Sequence, residues 1–435
     1  MNESFFSIII PVYNAAKFID KCIKSIFNQE FDDVQVILIN DCSTDGSREI
    51  CNKYKKKYNL NLIEHKHRLG VAISRNDGIK IAKGKYIIFL DSDDFLINNC
   101  LIKLKKIILK KKFPNIILNN CERNRVPANY DHLLKYFDNK INKREKFFNI
   151  LNNNKIVLNE CWNLVISRKL ITKNKVFFQK IKIIEDQVFI IKIFILMKSI
   201  VINQNPILFH RSRLGSLKHT LGVEAAHSFI VALTEFCILL NKYSYIHSVK
   251  KYLKFRILRN IFYLGSYIVL LNKNETTKLS RRVTEARKKI GNIKNINYSK
   301  SVYSNLKNKK TLDVILNHQK FVKNQVMRLF KKINFKFDGI FIFCADMVAK
   351  SVIKILRENK IFVNAIYDDD LNLRGKKMLN TRVKMLPKNN FKISDFKKKI
   401  FIICNFDKRI FLNIREKLIK KGFPKKKYCI YIFKF

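Results

Sequence analysis

Three stretches decide the fold: SIIIPVYNAAKFIDKCIKSIFNQ at residues 7–29, VQVILINDCSTDGS at 34–47 and KYIIFLDSDD at 85–94. Ser7–Val12, Val34–Asn40, Leu60–His65 and Lys85–Asp91 are short, β-branched apolar runs, the pattern of strands buried on both faces. After the first run, Ala15, Phe18, Ile19, Cys22, Ile23, Ile26 and Phe27 recur at helical spacing and make one continuous apolar face. Strand, helix, strand at this spacing implies right-handed crossovers and an α/β fold on a parallel sheet. In such a sheet the ligand sits beyond the carboxyl ends of the strands.

Polar turns stand at those ends: Pro11-Val12-Tyr13-Asn14, Asp41 to Ser47, and Asp91-Ser92-Asp93-Asp94. Asp, Ser and Gly are also ordinary turn and cap residues, so Ser43 or Asp45 is equally suited to capping the next helix. The last turn is different. Three carboxylates within four residues repel one another unless a cation or strong donors are present. They suit a hard divalent ion, Mn²⁺ or Mg²⁺, that takes oxygen ligands and bridges the protein to a diphosphate.

The order and spacing of these blocks, with LGVAISRNDGIKIAKG at 69–84 joining the second to the third, closely resemble the nucleotide-sugar half of family 2 glycosyltransferases of the GT-A fold. The resemblance covers about the first 220 residues. It implies that Pro11, Tyr13 and Asn14 line the nucleotide pocket and that Asp41 reads the base. Asp91 and Asp93 match the DxD motif, with Asp93 the direct metal ligand and Asp91 near ribose and metal. Arg75 and Asn76 match an ARN-like element beside the donor, with Ser74 in place of its Ala. Asn40 and Cys42 stand where the family often has Asp and Gly.

Further along, Cys161-Trp162-Asn163-Leu164 and Ser167-Arg168-Lys169-Leu170 resemble the block that follows the donor half, and Trp162 is the expected acceptor contact. A large aromatic also buries area wherever it lies, so core packing is an equal reading of Trp162. Ile184-Glu185-Asp186-Gln187-Val188-Phe189 resembles the element that carries the catalytic base, with Asp186 the first choice and Glu185 the alternate. HRSRLGS at 210–216 resembles the closing segment, which implies a diphosphate contact from Arg211 or Arg213 and a metal contact from His210.

The 435 residues carry 87 Lys+Arg against 34 Asp+Glu, a formal charge of +53, and 47% hydrophobic residues. That apolar share excludes a largely disordered chain. The basic excess is diffuse and mostly Lys, without the concentrated Arg element of a nucleic-acid binder, so no nucleic-acid partner is expected. Ten cysteines lie without CxxC pairs or His/Cys clusters, which argues against zinc and against a disulfide framework and fits a cytoplasmic chain. Met1-Asn2-Glu3-Ser4 leads straight into the first strand, so no secretory leader is expected. The apolar runs 188–202 and 257–271 are broken by Lys192, Lys198, Arg259 and Asn260 and fall short of the roughly 20 residues of a membrane span.

Three parts follow: a GT-A domain at 1–220, a helical region at 221–335, and a small degenerate Rossmann-like domain at 336–435. In the second, Phe229, Ala232, Leu233 and Phe236, then Leu253, Ile257, Ile261 and Leu264, recur at helical spacing among basic residues, as in a packed helix or one resting on an anionic leaflet. The third resembles the domain at the amino end of sugar acetyltransferases of the hexapeptide-repeat type. Its phosphate loop reads Cys344-Ala345-Asp346-Met347-Val348-Ala349, without the glycines a pyrophosphate needs. Asp368 holds the ribose-reading position.

The resemblance implies a metal-dependent, inverting glycosyltransferase. The donor would be a nucleotide sugar, with UDP the expected nucleotide, and the acceptor a glycan or lipid-linked molecule of surface polysaccharide assembly. The site would lie in the cytoplasm or at the inner face of the membrane. The alternative is an inactive, glycosyltransferase-like scaffold that binds partners or an anionic membrane.

Overall fold

The computed structural model describes residues 4–58, 60–123, 134–137, 143–211 and 222–271, with shorter pieces at 274–275, 277–279, 282, 339–343, 347–358, 363, 365–367, 377–378, 381–384, 399–403 and 429–431. The chain divides into two compact units, Met1–Arg213 with Leu239–Lys254, and Leu214–Ile238 with Phe255–Phe435.

The first unit opens as the apolar pattern demands. β1 (Phe6–Val12), α1 (Ala16–Phe27), β2 (Val34–Asn40), α2 (Ser47–Tyr58), β3 (Asn61–Glu64), α3 (Val71–Ile81) and β4 (Tyr86–Phe89) alternate, and β1 pairs parallel with both β2 and β4. Ile8, Ile9 and Ile10 of β1 and Ile37, Leu38 and Ile39 of β2 are fully buried, as continuous apolar runs in a covered parallel sheet must be. On α1, Ile19, Cys22, Ile23 and Ile26 are the buried stripe.

Two glycines set how closely the layers approach. A Cβ on Gly78 of α3 would run into the Ile9 side chain, and one on Gly84 into the backbone of Phe6 and Ser7. Only hydrogen fits there.

The sheet is then extended in mixed fashion. After β5 (Phe95–Leu96) and α4 (Cys100–Lys110) come β6 (Ile116–Arg123), α5 (Arg144–Asn153), β7 (Leu164–Ser167), α6 (Arg168–Lys173), α7 (Glu185–Leu196) and β8 (Ile200–His210). The eight-stranded order is β3-β2-β1-β4-β7-β6-β8-β5, with β7 antiparallel to both β4 and β6, and β5 antiparallel to β8. Because β7 reverses twice, β6 runs in the direction of β4, and its last residue, Arg123, reaches the same edge as the carboxyl ends of β1, β2 and β4. The apolar run 188–202 is the body of α7 and the start of β8.

In the remaining chain, α8 (Val223–Lys242) and α9 (His247–Leu270) are helical as their periodicity predicts. Among the described residues α8 is the one helix long and apolar enough to cross a membrane, and most of its apolar stretch is buried. In the second unit, β9 (Gly339–Phe343), α10 (Met347–Glu358), β10 (Ala365–Tyr367), β11 (Lys377–Met378), β12 (Thr381–Lys384), β13 (Lys399–Ile403) and β14 (Cys429–Tyr431) give the strand order β11-β12-β10-β9-β13-β14. Among the described strands of this sheet only the β11–β12 pair is antiparallel, and the order turns back at β9, as in doubly wound sheets. Residues 344–346 of the altered phosphate loop and Asp368 lie outside the described residues.

Candidate active site

The carboxyl ends of β1, β2 and β4 meet at one mouth, and the loops leaving them are cross-tied. Asp41 N donates to Val12 O at 2.8 Å and Leu90 N to Ile9 O at 3.0 Å, so the loops after β2 and β4 both start from β1. Asn14, at φ 47°, donates its N–H to Ser43 Oγ at 3.2 Å and accepts from Thr44 N at 2.9 Å. Asp45 accepts from Ala16 N at 3.0 Å and from Ser47 N at 3.2 Å, capping α1 and α2 together. The visible work of Asn14 is thus to join the first two loops. Pro11 and Tyr13 stay half-buried, and the Arg68 guanidinium lies 3.8 Å from the centre of the Tyr13 ring.

Cys42 takes a left-handed φ of 60°, the conformation for which a glycine is the natural residue. Its neighbour Asp41 is only 3% exposed and accepts hydrogen bonds from Leu69 N at 2.7 Å, Gly70 N at 2.8 Å and His65 Nδ1 at 2.8 Å. His65 also reaches Asp77 through Nε2 at 3.1 Å. These bonds fix the loop that enters α3. His65, at the carboxyl end of the β3 run, was open to recognition by its strand-end place; Arg68 carries no sequence signal.

The acidic turn after β4 holds Asp91, Asp93 and Asp94 with ligand oxygens all within 4.8 Å of one another. An all-oxygen, triply acidic set fits a hard divalent cation. The members differ. Asp91 and Asp93 are half-buried, whereas Asp94 is 1% exposed and accepts from His210 Nδ1 at 2.9 Å and Arg211 N at 2.8 Å. Burial pushes the Asp94 carboxyl up, and the His210 contact works against that shift. A histidine that donates Nδ1–H to a carboxylate keeps its lone pair on Nε2, the tautomer a metal ligand needs.

Trp162 is buried and stacks on the His210 ring, centroids 4.5 Å apart and planes 15° from parallel; Arg123 faces the indole from 5.4 Å. The contacts on view for Trp162 are therefore packing contacts, and they build a layer of Arg123, Trp162 and His210 behind the acidic turn. Arg123 was not foreseen; its sign was a basic residue ending a strand. Arg211 donates Nε–H to Asp93 O at 3.1 Å. Arg213 and Ser216 lie outside the described residues.

Across the mouth, α7 begins with Glu185 and Asp186 directly after Ile184, a β-branched residue held at φ 57°. Such a conformation is strained and persists only where surroundings impose it. Arg75 donates from Nη1 to Glu185 Oε1 at 2.7 Å and from Nη2 to Asp91 Oδ1 at 2.8 Å. Burial, reinforced by the Glu185 charge, pushes the Asp186 carboxyl up to about 8, with Arg75 pulling the other way. A carboxyl in that range holds and releases protons near neutral pH, as a general base must. Next to Arg75, Asn76 clasps the backbone of Phe178, donating to its O at 2.9 Å and accepting from its N at 2.8 Å.

Residues 7–171 match the family described as Glycosyl transferase family 2. The matched span ends before Glu185. The chain is 29% identical over 232 residues to a cholesterol galactosyltransferase of Borreliella burgdorferi, covering 50% of this chain and 63% of that one. It is 46% identical over 101 residues to a poly(ribitol-phosphate) beta-glucosyltransferase of Bacillus spizizenii, covering 22% and 16%. In both cases the match spans less than two thirds of the relative's length. In fold it resembles residues 1–349 of S. aureus TarS, solved in complex with UDP-GlcNAc, with TM-score 0.55, 18% identity, and 77% of this chain and 94% of that one covered. At that identity the likeness is one of fold. None of these matches carries the likeness to acetyltransferase domains expected for residues 336–435.

Proposed function

From a chain whose residues 7–171 carry a family 2 glycosyltransferase match, we propose an inverting transferase that moves a sugar from a nucleotide sugar to a glycan or lipid-linked acceptor of the cell surface. The relatives' names support the acceptor class, since one acts on poly(ribitol phosphate), and UDP-GlcNAc in the neighbour of like fold favours a UDP-sugar donor. The observation that carries the reading is that Arg75 joins Asp91 and Glu185, so the acidic turn and the start of α7 share one mouth.

In this reading Pro11, Tyr13 and Asn14 border the nucleotide, with the base near Asp41. Asp91 and Asp93 would hold Mn²⁺ or Mg²⁺, and His210, tied to Asp94 through Nδ1, is the further candidate ligand. The cation, when bound, supplies positive charge that stabilises the departing diphosphate. Arg211 and Arg213 supply further donors for that anion. Asp186 accepts the proton of the acceptor hydroxyl as its oxygen bonds to the anomeric carbon. The carbon–phosphate-oxygen bond breaks, its electron pair leaves with the nucleoside diphosphate, and attack from the opposite face inverts the centre.

The division into 1–220, 221–335 and 336–435, a cytoplasmic location and attachment to an anionic inner leaflet belong to the same proposal. The test is a panel of nucleotide sugars with and without Mn²⁺, scored for donor hydrolysis and for transfer to surface-glycan acceptors. One donor turned over in a cation-dependent way supports the reading; no turnover of any donor, with no UDP binding, overturns it.

A further inference from the structure

Beside a nucleotide-sugar donor an arginine serves most simply as a phosphate contact. The geometry around Arg75 points to another role, and resting on the function proposed above, we infer that Arg75 is a positioning residue whose planar fork locks Glu185 to Asp91 and thereby leaves Asp186 as the base.

Three observations carry this. Arg75 is 3% exposed, and its two terminal nitrogens reach two different carboxylates, 16 residues downstream and 110 residues downstream. A guanidinium has a fixed spacing between its two amino groups, so it sets the separation of its two partners; an ammonium, a single point of charge, cannot. The same helix edge holds the other segment a second time. Asn76 clasps the Phe178 backbone in both directions, and the Phe178 ring stacks on Phe189 of α7 at 3.9 Å and lies 5.3 Å from the Arg75 guanidinium. Finally, Ile184 turns through a left-handed conformation just before the pair. The turn opens α7 with Glu185 tied to Arg75, whereas Asp186, the next residue, receives no hydrogen bond from Arg75. Sequence alone left Glu185 and Asp186 as alternatives for the base; the tie to Arg75 distinguishes them.

Arg75→Lys keeps the charge and removes the fork. With folding checked by melting temperature, the transfer kcat should fall about 100-fold, the loss typical of a misplaced reacting group. Donor KM, and UDP affinity measured calorimetrically with Mn²⁺ and no turnover, should stay within about threefold, since the lost interaction acts on the transition state. A rise in KM and in UDP Kd with kcat retained would make Arg75 a donor contact and overturn the inference. So would unchanged kinetics. If Arg75→Lys does not fold, Glu185→Gln, which keeps shape and weakens the same tie, should lower kcat about tenfold with UDP affinity unchanged; an unchanged kcat there also overturns it. Absence of turnover in the unaltered protein would count against the transferase reading itself, whereas normal turnover with an indifferent Arg75→Lys counts only against this inference.

Discussion

Asp94 and His210 are 116 residues apart in the chain and 2.9 Å apart in the fold, the histidine's Nδ1 meeting a carboxylate that is almost wholly buried. The same carboxylate receives the Arg211 N–H, so one side chain ties the end of β8 to the acidic turn after β4. Asp94 thus acts as the anchor of the turn, while Asp91 and Asp93 face the mouth more openly.

Asp94→Asn, which preserves shape, turns one of two acceptors into a donor facing another N–H. An unmatched buried donor costs about 1–3 kcal/mol, so the midpoint of denaturant unfolding should drop and Mn²⁺-dependent UDP binding should weaken with it. Unaltered stability would show that the Asp94 contacts are dispensable.

Asp93→Ala should abolish transfer and leave the melting temperature close to that of the unaltered protein, because Asp93 is half-buried rather than part of the core. Full activity in this variant would remove the proposed cation site.

For Asp186 the sign of the pH dependence is fixed by its raised carboxyl. The ordinary value is 3.8 and the folded value about 8, so between those limits the folded state holds a proton that the unfolded state has released. Stability therefore falls as pH rises through that window. Asp186→Asn lacks this loss, and in metal-free protein its melting temperature should gain on that of the unaltered protein between about pH 5 and about pH 8.5. A constant difference would mean that Asp186 titrates normally.

Cys42→Gly should stabilise the loop after β2 by about 0.5–1 kcal/mol, since glycine adopts the observed left-handed φ without strain. Gly84→Ala should do the opposite, by about 1–3 kcal/mol, because the new methyl meets the Phe6–Ser7 backbone rather than a movable side chain. Paired denaturation curves check both.

Local patterns made half of this molecule legible. β2 falls on Val34–Asn40 as its apolar run predicts, and α1 ends at Phe27 where its stripe ends, because strand burial and helix amphipathicity are written within a few residues. The strands at 339–343, 365–367 and 399–403 follow the same rule. Pairing between distant segments is not written that way. Nothing near Leu164 announces that β7 inserts antiparallel between β4 and β6, and nothing near Arg75 announces Glu185 as its partner. The acids at 41, 91 and 93 stand out at strand ends and the acid at 186 through the family resemblance, but partners such as the backbone N–H groups of Leu69 and Gly70 for Asp41 and the Arg75 guanidinium for Asp91 become evident only once the chain is folded.

If Asp186 removes the acceptor proton at a mouth shared with the acidic turn, Asp186→Asn is the deciding variant, in paired measurements of UDP binding with Mn²⁺ and of sugar transfer. UDP affinity should stay within about twofold of the unaltered protein while transfer falls by about 10²- to 10⁴-fold, the contribution of a positioned base. Transfer that persists at the normal rate, or binding lost together with transfer, would contradict it.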